Sequence, residues 1–143
     1  MFVINVEGAV LRKGKWLLIE RSDKEEHAGG LLAFVGGTVD PIAQSTHLLE
    51  QTLKREMFEE VGLTIHSEMT YVRNSSFTLP DGRHVVNIVF LCSCEGDSEP
   101  YIKSADEVKG IYWLTTDEVL AHKNAPIWLK ESMGDLSSLL ASK

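Results

Sequence analysis

The alternation of apolar and polar residues divides the chain into short strands and three helices. Residues 2–11 are β-branched and apolar, the turn RKGK follows, and residues 16–21 are apolar again, so these segments predict a β-hairpin. Similar patterns predict further strands at 31–39, 69–79, 84–94 and 110–114. The second and third of these flank the turn PDGR and are expected to pair.

The central helix is predicted over residues 45–62, where large apolar side chains recur every four residues. This repeat consists of Leu49, Leu53, Met57 and Val61. It is typical of the buried stripe of an amphipathic helix. Ser45 or Thr46 is predicted to cap the start of the helix, and Gly62 is predicted to end it.

Two more helices are predicted near the end of the chain. The segment TTDEVLAH, residues 115–122, has a threonine cap, and residues 125–142 form a terminal helix with a break expected at Gly134. The order of strands, one central helix, strands and terminal helices favours an α/β fold in which a mixed β-sheet is sandwiched between helices. With 143 residues, the chain is expected to form a single domain spanning residues 1–143.

Composition and net charge limit the kinds of molecule that the protein is expected to bind. The apolar fraction of 43% and the charged fraction of 24% are those of an ordinary globular protein. The net charge of −7 argues against binding to nucleic acid or to an anionic membrane. A small anionic substrate is compatible with this charge if nearby positive side chains or a bound metal ion compensate.

The two cysteines and the first residues indicate the compartment. Cys92 and Cys94 lie two positions apart in a predicted strand, and no further cysteine completes a zinc site or a disulfide framework. The start of the chain has no basic region followed by an apolar run, and no stretch is long enough to span a bilayer. We therefore expect a cytoplasmic protein without membrane contact; a homodimer is one of the assemblies left open.

The segment LKREMFEEVG brings three glutamates into little more than one turn of the central helix. Glu56 and Glu60 lie about 40° apart around the helix axis, with Glu59 beside them. Oxygen ligands at positions i and i+4 suit an octahedral magnesium or manganese ion. The competing interpretation is an ordinary solvated helix face.

The same segment resembles the signature of the Nudix hydrolase family, with its MutT-like and ADP-ribose pyrophosphatase-like members. That signature ends in Arg-Glu-apolar-any-Glu-Glu-any-Gly-apolar, and every fixed position matches here: Arg55, Glu56, Met57, Glu59, Glu60, Gly62 and Leu63. The pair Gly36-Gly37 precedes the helix as in the family. The order of elements also agrees, so the resemblance extends over most of the chain and implies the Nudix α/β/α sandwich.

The first half of the signature departs from the family pattern. The chain from Gly37 to Arg55 is four residues longer than the family spacing. Asp40 stands where a glutamate is common, and His47 stands where the first glutamate of the signature belongs. Glu50 lies one turn further on and could take over part of that role, while His47 reads as a solvent-facing residue at the helix start.

The resemblance implies a metal site and an activity. Glu56, Glu59 and Glu60 would bind Mg²⁺ or Mn²⁺ together with the Gly36 carbonyl and a distant acidic residue, which is Glu107 or its competitor Asp106. Family members hydrolyse the diphosphate linkage of a nucleoside diphosphate joined to another group. Glu56 and Glu107 are both candidates for the general base, and Arg55 would orient Glu59 by a charge-assisted hydrogen bond.

The substrate-binding residues are less determined by the sequence. Arg21 could meet a phosphate or be a surface arginine, and Phe34 could line a base pocket or belong to the core. Asn124, in HKNAPIW, resembles a base-reading asparagine of MutT-type enzymes or is a helix-capping residue. A different class of function is a Nudix-fold module that binds or senses nucleotides without turnover, which the altered segment from Asp40 to His47 favours.

Overall fold

Seven strands and three helices make up the computed structural model, which describes residues 1–25, 28–42 and 44–142. The first four strands are β1 (Phe2–Arg12), β2 (Lys15–Arg21), β3 (Leu32–Ala33) and β4 (Val35–Thr38). The helix α1 (Leu48–Val61) follows, and then β5 (Thr70–Thr78), β6 (His84–Cys92) and β7 (Val108–Leu114). The chain closes with α2 (Thr116–Ala121) and α3 (Ile127–Ala141). Within the described residues, no helix combines the length and apolar character needed to cross a bilayer.

The strands form a mixed sheet, as predicted. Their order is β3-β2-β1-β6-β5, with β4 also paired to β1 and β7 also paired to β2. The contact between β1 and β6 is parallel, and the remaining pairings are antiparallel. The predicted hairpin is confirmed by the antiparallel register Leu11↔Trp16, and β5 pairs with β6 across the predicted turn.

Helices cover both faces of the sheet because the strand residues alternate between two apolar layers. Val6 and Val10 of β1 join the layer that contains Leu53 of α1. Ala9, which points to the other face, joins the layer that contains Met133 of α3. These two layers confirm the predicted α/β fold with helices on either side of a mixed sheet.

The ends of α1 agree with the prediction on one side only. Gly62 ends the helix at a φ of 71°, a left-handed conformation that glycine adopts without strain. The predicted cap by Ser45 or Thr46 is wrong, because the residue before the first turn is His47, with a φ of 56° and no side-chain capping bond. The helix therefore begins at Leu48, beyond both predicted capping residues.

The C-terminal helices show one confirmed and one wrong prediction. Thr115 caps α2, since its Oγ1 accepts from the Glu118 amide at 3.2 Å while the Glu118 carboxylate accepts from the Thr115 amide at 2.8 Å. The break expected at Gly134 is absent, because α3 runs continuously from Ile127 to Ala141. Buried Met133 and Leu136 hold this part of the helix against the sheet, and packing outweighs the roughly 1 kcal/mol that an internal glycine costs.

Candidate metal and substrate site

Three carboxylates from two parts of the chain meet beside α1. One oxygen each of Glu56, Glu60 and Glu107 lies within 4.8 Å of the others. Glu56 and Glu60 are one helical turn apart, and Glu107 comes from the segment immediately before β7. That segment is attached at both ends: the Lys103 amide donates to the Glu60 carbonyl, and the Ser22 amide donates to the Glu107 carbonyl, each at 3.0 Å.

Glu60 is the most buried member of this carboxylate group. It is 4% exposed, and its Oε2 atom has no hydrogen-bond partner among the described residues. Burial, the hydrogen bond with Glu56 and the negative charges of Glu56 and Glu107 raise the pKa of Glu60 to about 10. Burial and then Glu56 also raise the pKa of Glu107. The group therefore holds carboxylates that oppose one another's ionisation in the absence of a cation.

The glycine pair allows this group to form. A Cβ atom on Gly37 would lie 2.5 Å from the carboxyl carbon of Glu56, so the side chain of Glu56 rests directly on the Gly37 backbone. A Cβ atom on Gly36 would collide with the carbonyl oxygen of Val6 on the paired strand β1. Gly36 thus requires glycine because its clash is with backbone atoms, whereas a Cβ atom on Gly37 would displace the side chain of Glu56.

Arg55 connects the carboxylate group to the remaining glutamate of the helix. Its guanidinium donates from Nη1 to Glu56 Oε1 at 3.1 Å and to Glu59 Oε2 at 3.2 Å, and it lies 3.9 Å from Asp40. The predicted Arg55–Glu59 contact is therefore present, with Glu56 as a second partner. Glu59 itself has a side chain 55% exposed and lies outside the group of three formed by the described residues.

Two residues of the altered signature half, His47 and Glu50, lie away from the carboxylate group. His47 and Glu50 line an open depression with His66 and Glu68, and none of the three grouped carboxylates lines it. In this structure Glu50 therefore does not join the group in place of the missing signature glutamate.

A cleft of about 420 Å³ opens on the face of the sheet that α3 covers. Its walls combine the polar side chains of Glu7, Arg21, Arg73 and Asn87 with the ring of Trp128. Asn87 Nδ2 donates to Glu7 Oε1 at 2.6 Å. Burial raises the pKa of Glu7, whereas the Asn87 hydrogen bond and the charges of Arg21 and Arg73 oppose that rise.

Glu7, Asn87, Arg73 and Trp128 were not singled out from the sequence. A signal for two of them was present, because Glu7 and Asn87 interrupt otherwise apolar strands. Neighbours two positions away, Ala9 and Val89, pack in the layer under α3. A polar residue in that series of alternate positions marks the place where the apolar layer opens into a cavity.

The three residues predicted to bind substrate have different positions. Arg21 lines the cleft, lies 3.6 Å from Glu25, and its charge lowers the pKa of both Glu60 and Glu107. Arg21 therefore lines the cleft and is close enough to the carboxylate group to act on it electrostatically.

Phe34 and Asn124 are not brought to the surface of the cleft. Phe34 is 2% exposed and packs edge-on against Trp16, with ring centroids 6.4 Å apart. A ring buried in this way has no face left for a base, so the base-pocket interpretation of Phe34 is corrected to a core role. Asn124 lies in the connection between α2 and α3, where its carbonyl accepts from the Leu32 amide at 2.9 Å, and it is not among the residues that line the cleft.

The carboxylate group fits a divalent cation with a preference for oxygen ligands. The group supplies three carboxylates, from Glu56, Glu60 and Glu107, that are close enough to bind one cation together. The unpartnered Oε2 of buried Glu60 is a second observation that favours a cation site, because a polar atom without a partner is costly in a protein interior. A bound cation would satisfy that atom and remove the repulsion that raises the pKa of Glu60.

Comparison with known proteins identifies the class to which this fold and site belong. The family model described as the NUDIX domain matches residues 2–135, so the chain belongs to the Nudix hydrolase family. A curated relative, the uncharacterized Nudix hydrolase YfcD of Shigella flexneri, is 28% identical over 130 residues, which cover 83% of this chain and 67% of the relative.

Solved structures show the same fold at lower identity. A MutT Nudix hydrolase from Burkholderia pseudomallei superposes with a TM-score of 0.78 at 22% identity, covering 94% of this chain and 98% of that one. An Ap4A hydrolase from C. elegans superposes with a TM-score of 0.75 at 19% identity, covering 99% of both chains.

Proposed function

We propose that this Nudix hydrolase cleaves the diphosphate linkage of a nucleotide, a nucleoside diphosphate joined to another group, in a Mg²⁺-dependent reaction. The observation that supports this proposal is the Glu56–Glu60–Glu107 group, whose carboxylate oxygens lie within 4.8 Å of one another. An Ap4A hydrolase, whose name describes hydrolysis of a nucleotide, shares the fold. Mn²⁺ is the alternative cation, since it accepts the same oxygen ligands.

The proposal assigns cation binding to Glu56, Glu60, Glu107 and the Gly36 carbonyl. Glu59 would act from the outer side of the site, in contact with Arg55 at 3.2 Å. When bound, the cation supplies charge neutralisation at the phosphate oxygens and lowers the pKa of a coordinated water.

The chain's own residues would bind and orient the reactants. Arg55 positions Glu56 through its 3.1 Å hydrogen bond, and Arg21, which lines the cleft, would meet a phosphate oxygen. Glu56 and Glu107 are the candidates for accepting the proton of the attacking water. Glu60 is less suited to that role, because it is only 4% exposed to solvent.

The nucleoside would lie in the cleft beside Trp128, while the phosphates extend past Arg21 toward the carboxylates. Arg21 lines the cleft, and its charge also acts on Glu60 and Glu107. A nucleotide with a diphosphate would therefore extend from the aromatic wall of the cleft, past Arg21, to the cation site. Asn124 is not needed in this scheme.

Oxygen-18 labelling combined with a nucleotide panel tests the proposal. In labelled water with Mg²⁺, we expect label only in a phosphate group of the products, because attack occurs at phosphorus. Glu107→Gln should lower turnover about a hundredfold or more, the size of a general-base or ligand contribution, while the exposed Glu68→Gln serves as the matched control. Label in a non-phosphate group, or full activity of Glu107→Gln, would exclude this mechanism.

The second candidate function is nucleotide binding without turnover. The observation that favours it is the lengthened connection, which places His47 at the start of α1 without a capping bond and leaves no glutamate at the family's first position. Saturable nucleotide binding with no product from any panel member would select this alternative.

A cytoplasmic location and a monomeric or homodimeric state complete the proposal. The free thiols Cys92 and Cys94 support a reducing compartment. Light scattering after size-exclusion chromatography would distinguish the monomer from the homodimer.

A further inference from the structure

Two polar side chains stand side by side on the wall of the cleft, on neighbouring parallel strands. In the register of β1 and β6, Asn5 pairs with Asn87 and Glu7 pairs with Val89. Glu7 and Asn87 therefore project from the same face of the sheet, and both line the cleft. Sheet geometry, rather than a mobile loop, fixes their separation.

Their mutual hydrogen bond determines which atoms are available to a ligand. Asn87 Nδ2 donates to Glu7 Oε1 at 2.6 Å, so the amide is oriented with its nitrogen toward the carboxylate. Among the described residues, Glu7 forms no ion pair and no second side-chain hydrogen bond. Glu7 Oε2 and Asn87 Oδ1 are consequently two neighbouring acceptors on the cleft wall.

The surrounding residues suit a flat ring. Trp128 is 41% exposed and lines the same cleft, and aromatic faces of this kind stack on nucleobases. Arg73 is held by Asp135, 2.8 Å from its Nε, and by the Ser132 hydroxyl at 3.1 Å from its Nη1. Because its guanidinium is directed toward α3, Arg73 does not occupy the acceptor pair.

We propose that Glu7 and Asn87 read the base of the substrate and favour a base edge with two adjacent N–H donors, as guanine presents with N1–H and its 2-amino group. This inference rests on the proposed function, since it names the base class of the same site. Hypoxanthine lacks the 2-amino donor, and adenine presents an acceptor beside its amino group. Each of these would leave one protein acceptor without a donor, which is the arrangement that a polar site rejects most strongly.

Equilibrium binding of GMP and IMP in metal-free buffer tests the proposal by calorimetry. The two ligands differ by the 2-amino group, and neither contains a phosphoric anhydride bond. We expect wild-type protein to bind GMP about tenfold or more tightly than IMP, because IMP leaves one acceptor of the cleft wall without a donor. Glu7→Gln should reduce the preference to about twofold, and Asn87→Ala should also reduce it.

The exposed Glu68→Gln is the matched control for the same chemical change and should keep the wild-type preference. Thermal melts show whether each variant is folded. If Glu7→Gln does not fold, the GMP and IMP affinities of Asn87→Ala test the proposal instead. Equal binding of GMP and IMP by wild type, no GMP binding at millimolar concentration, or an unchanged preference in the folded variants would overturn the inference. The assay contains neither metal nor cleavable bond, so its failure is distinct from a failure of the nucleotide panel to yield product.

Discussion

Replacing Glu60 with glutamine separates the free-energy cost of burying its carboxylate from the role of that carboxylate in binding a cation. Glu60 is 4% exposed, and burial together with Glu56 raises its pKa from the ordinary value of 4.5 to about 10. At neutral pH the metal-free folded protein therefore retains a proton on Glu60 that the unfolded chain has released. Glutamine has nearly the same shape and carries no charge in either state.

The magnitude follows from linkage between protonation and folding. Because the folded pKa is raised, the contribution of Glu60 to stability is present at low pH and is lost as the pH rises from 4.5 to about 10. The loss is about 1.4 kcal/mol per pH unit, or about 3 kcal/mol at pH 7. Metal-free Glu60→Gln should therefore be more stable than wild type by about 3 kcal/mol at pH 7, with a gap near zero at pH 4.5.

Denaturant unfolding of both proteins between pH 4.5 and 9 in chelator measures this gap. Mg²⁺ at a hundred times its dissociation constant should stabilise wild type by about 2.7 kcal/mol and the variant much less. Turnover of the variant should fall by orders of magnitude despite its greater stability. Exposed Glu68→Gln should show no gap that grows with pH. A gap independent of pH, combined with a wild-type protein that Mg²⁺ does not stabilise, would refute the description of Glu60 as a buried cation ligand.

Three further substitutions test other parts of the structure. Gly37→Ala should abolish most activity and weaken Mg²⁺ binding measured by calorimetry, because its Cβ would lie 2.5 Å from the Glu56 carboxyl carbon; the control Gly134→Ala, with open space around it, should gain up to about 1 kcal/mol in thermal melts. Thr115→Ala should lose about 1 kcal/mol of stability by removal of the α2 cap while kcat is unchanged; an equal loss of kcat would show that α2 shapes the site. His47→Ala should keep most of its activity, since His47 lies outside the carboxylate group; a loss of about a hundredfold would place it in the chemistry.

The features that the sequence determined by itself are those that depend on neighbours within one helical turn or one strand. The apolar stripe of α1, its end at Gly62 and the proximity of Glu56 to Glu60 follow from the 3.6-residue period of a helix. The cap of α2 by Thr115 is likewise a contact between residues three positions apart. Local geometry determines such contacts, and they do not depend on distant parts of the chain.

The tertiary structure decided which side chains share a site. Glu107 joins Glu56 and Glu60 only because backbone hydrogen bonds attach its segment to α1 and to the end of β2. Phe34, next to the glycine pair in sequence, is buried because it packs against Trp16 in the apolar layer under α3. Glu7 and Asn87 are 80 positions apart, and only the parallel register of β1 and β6 makes them adjacent, because strand pairing is set by packing over the whole sheet and not by the residues beside each position.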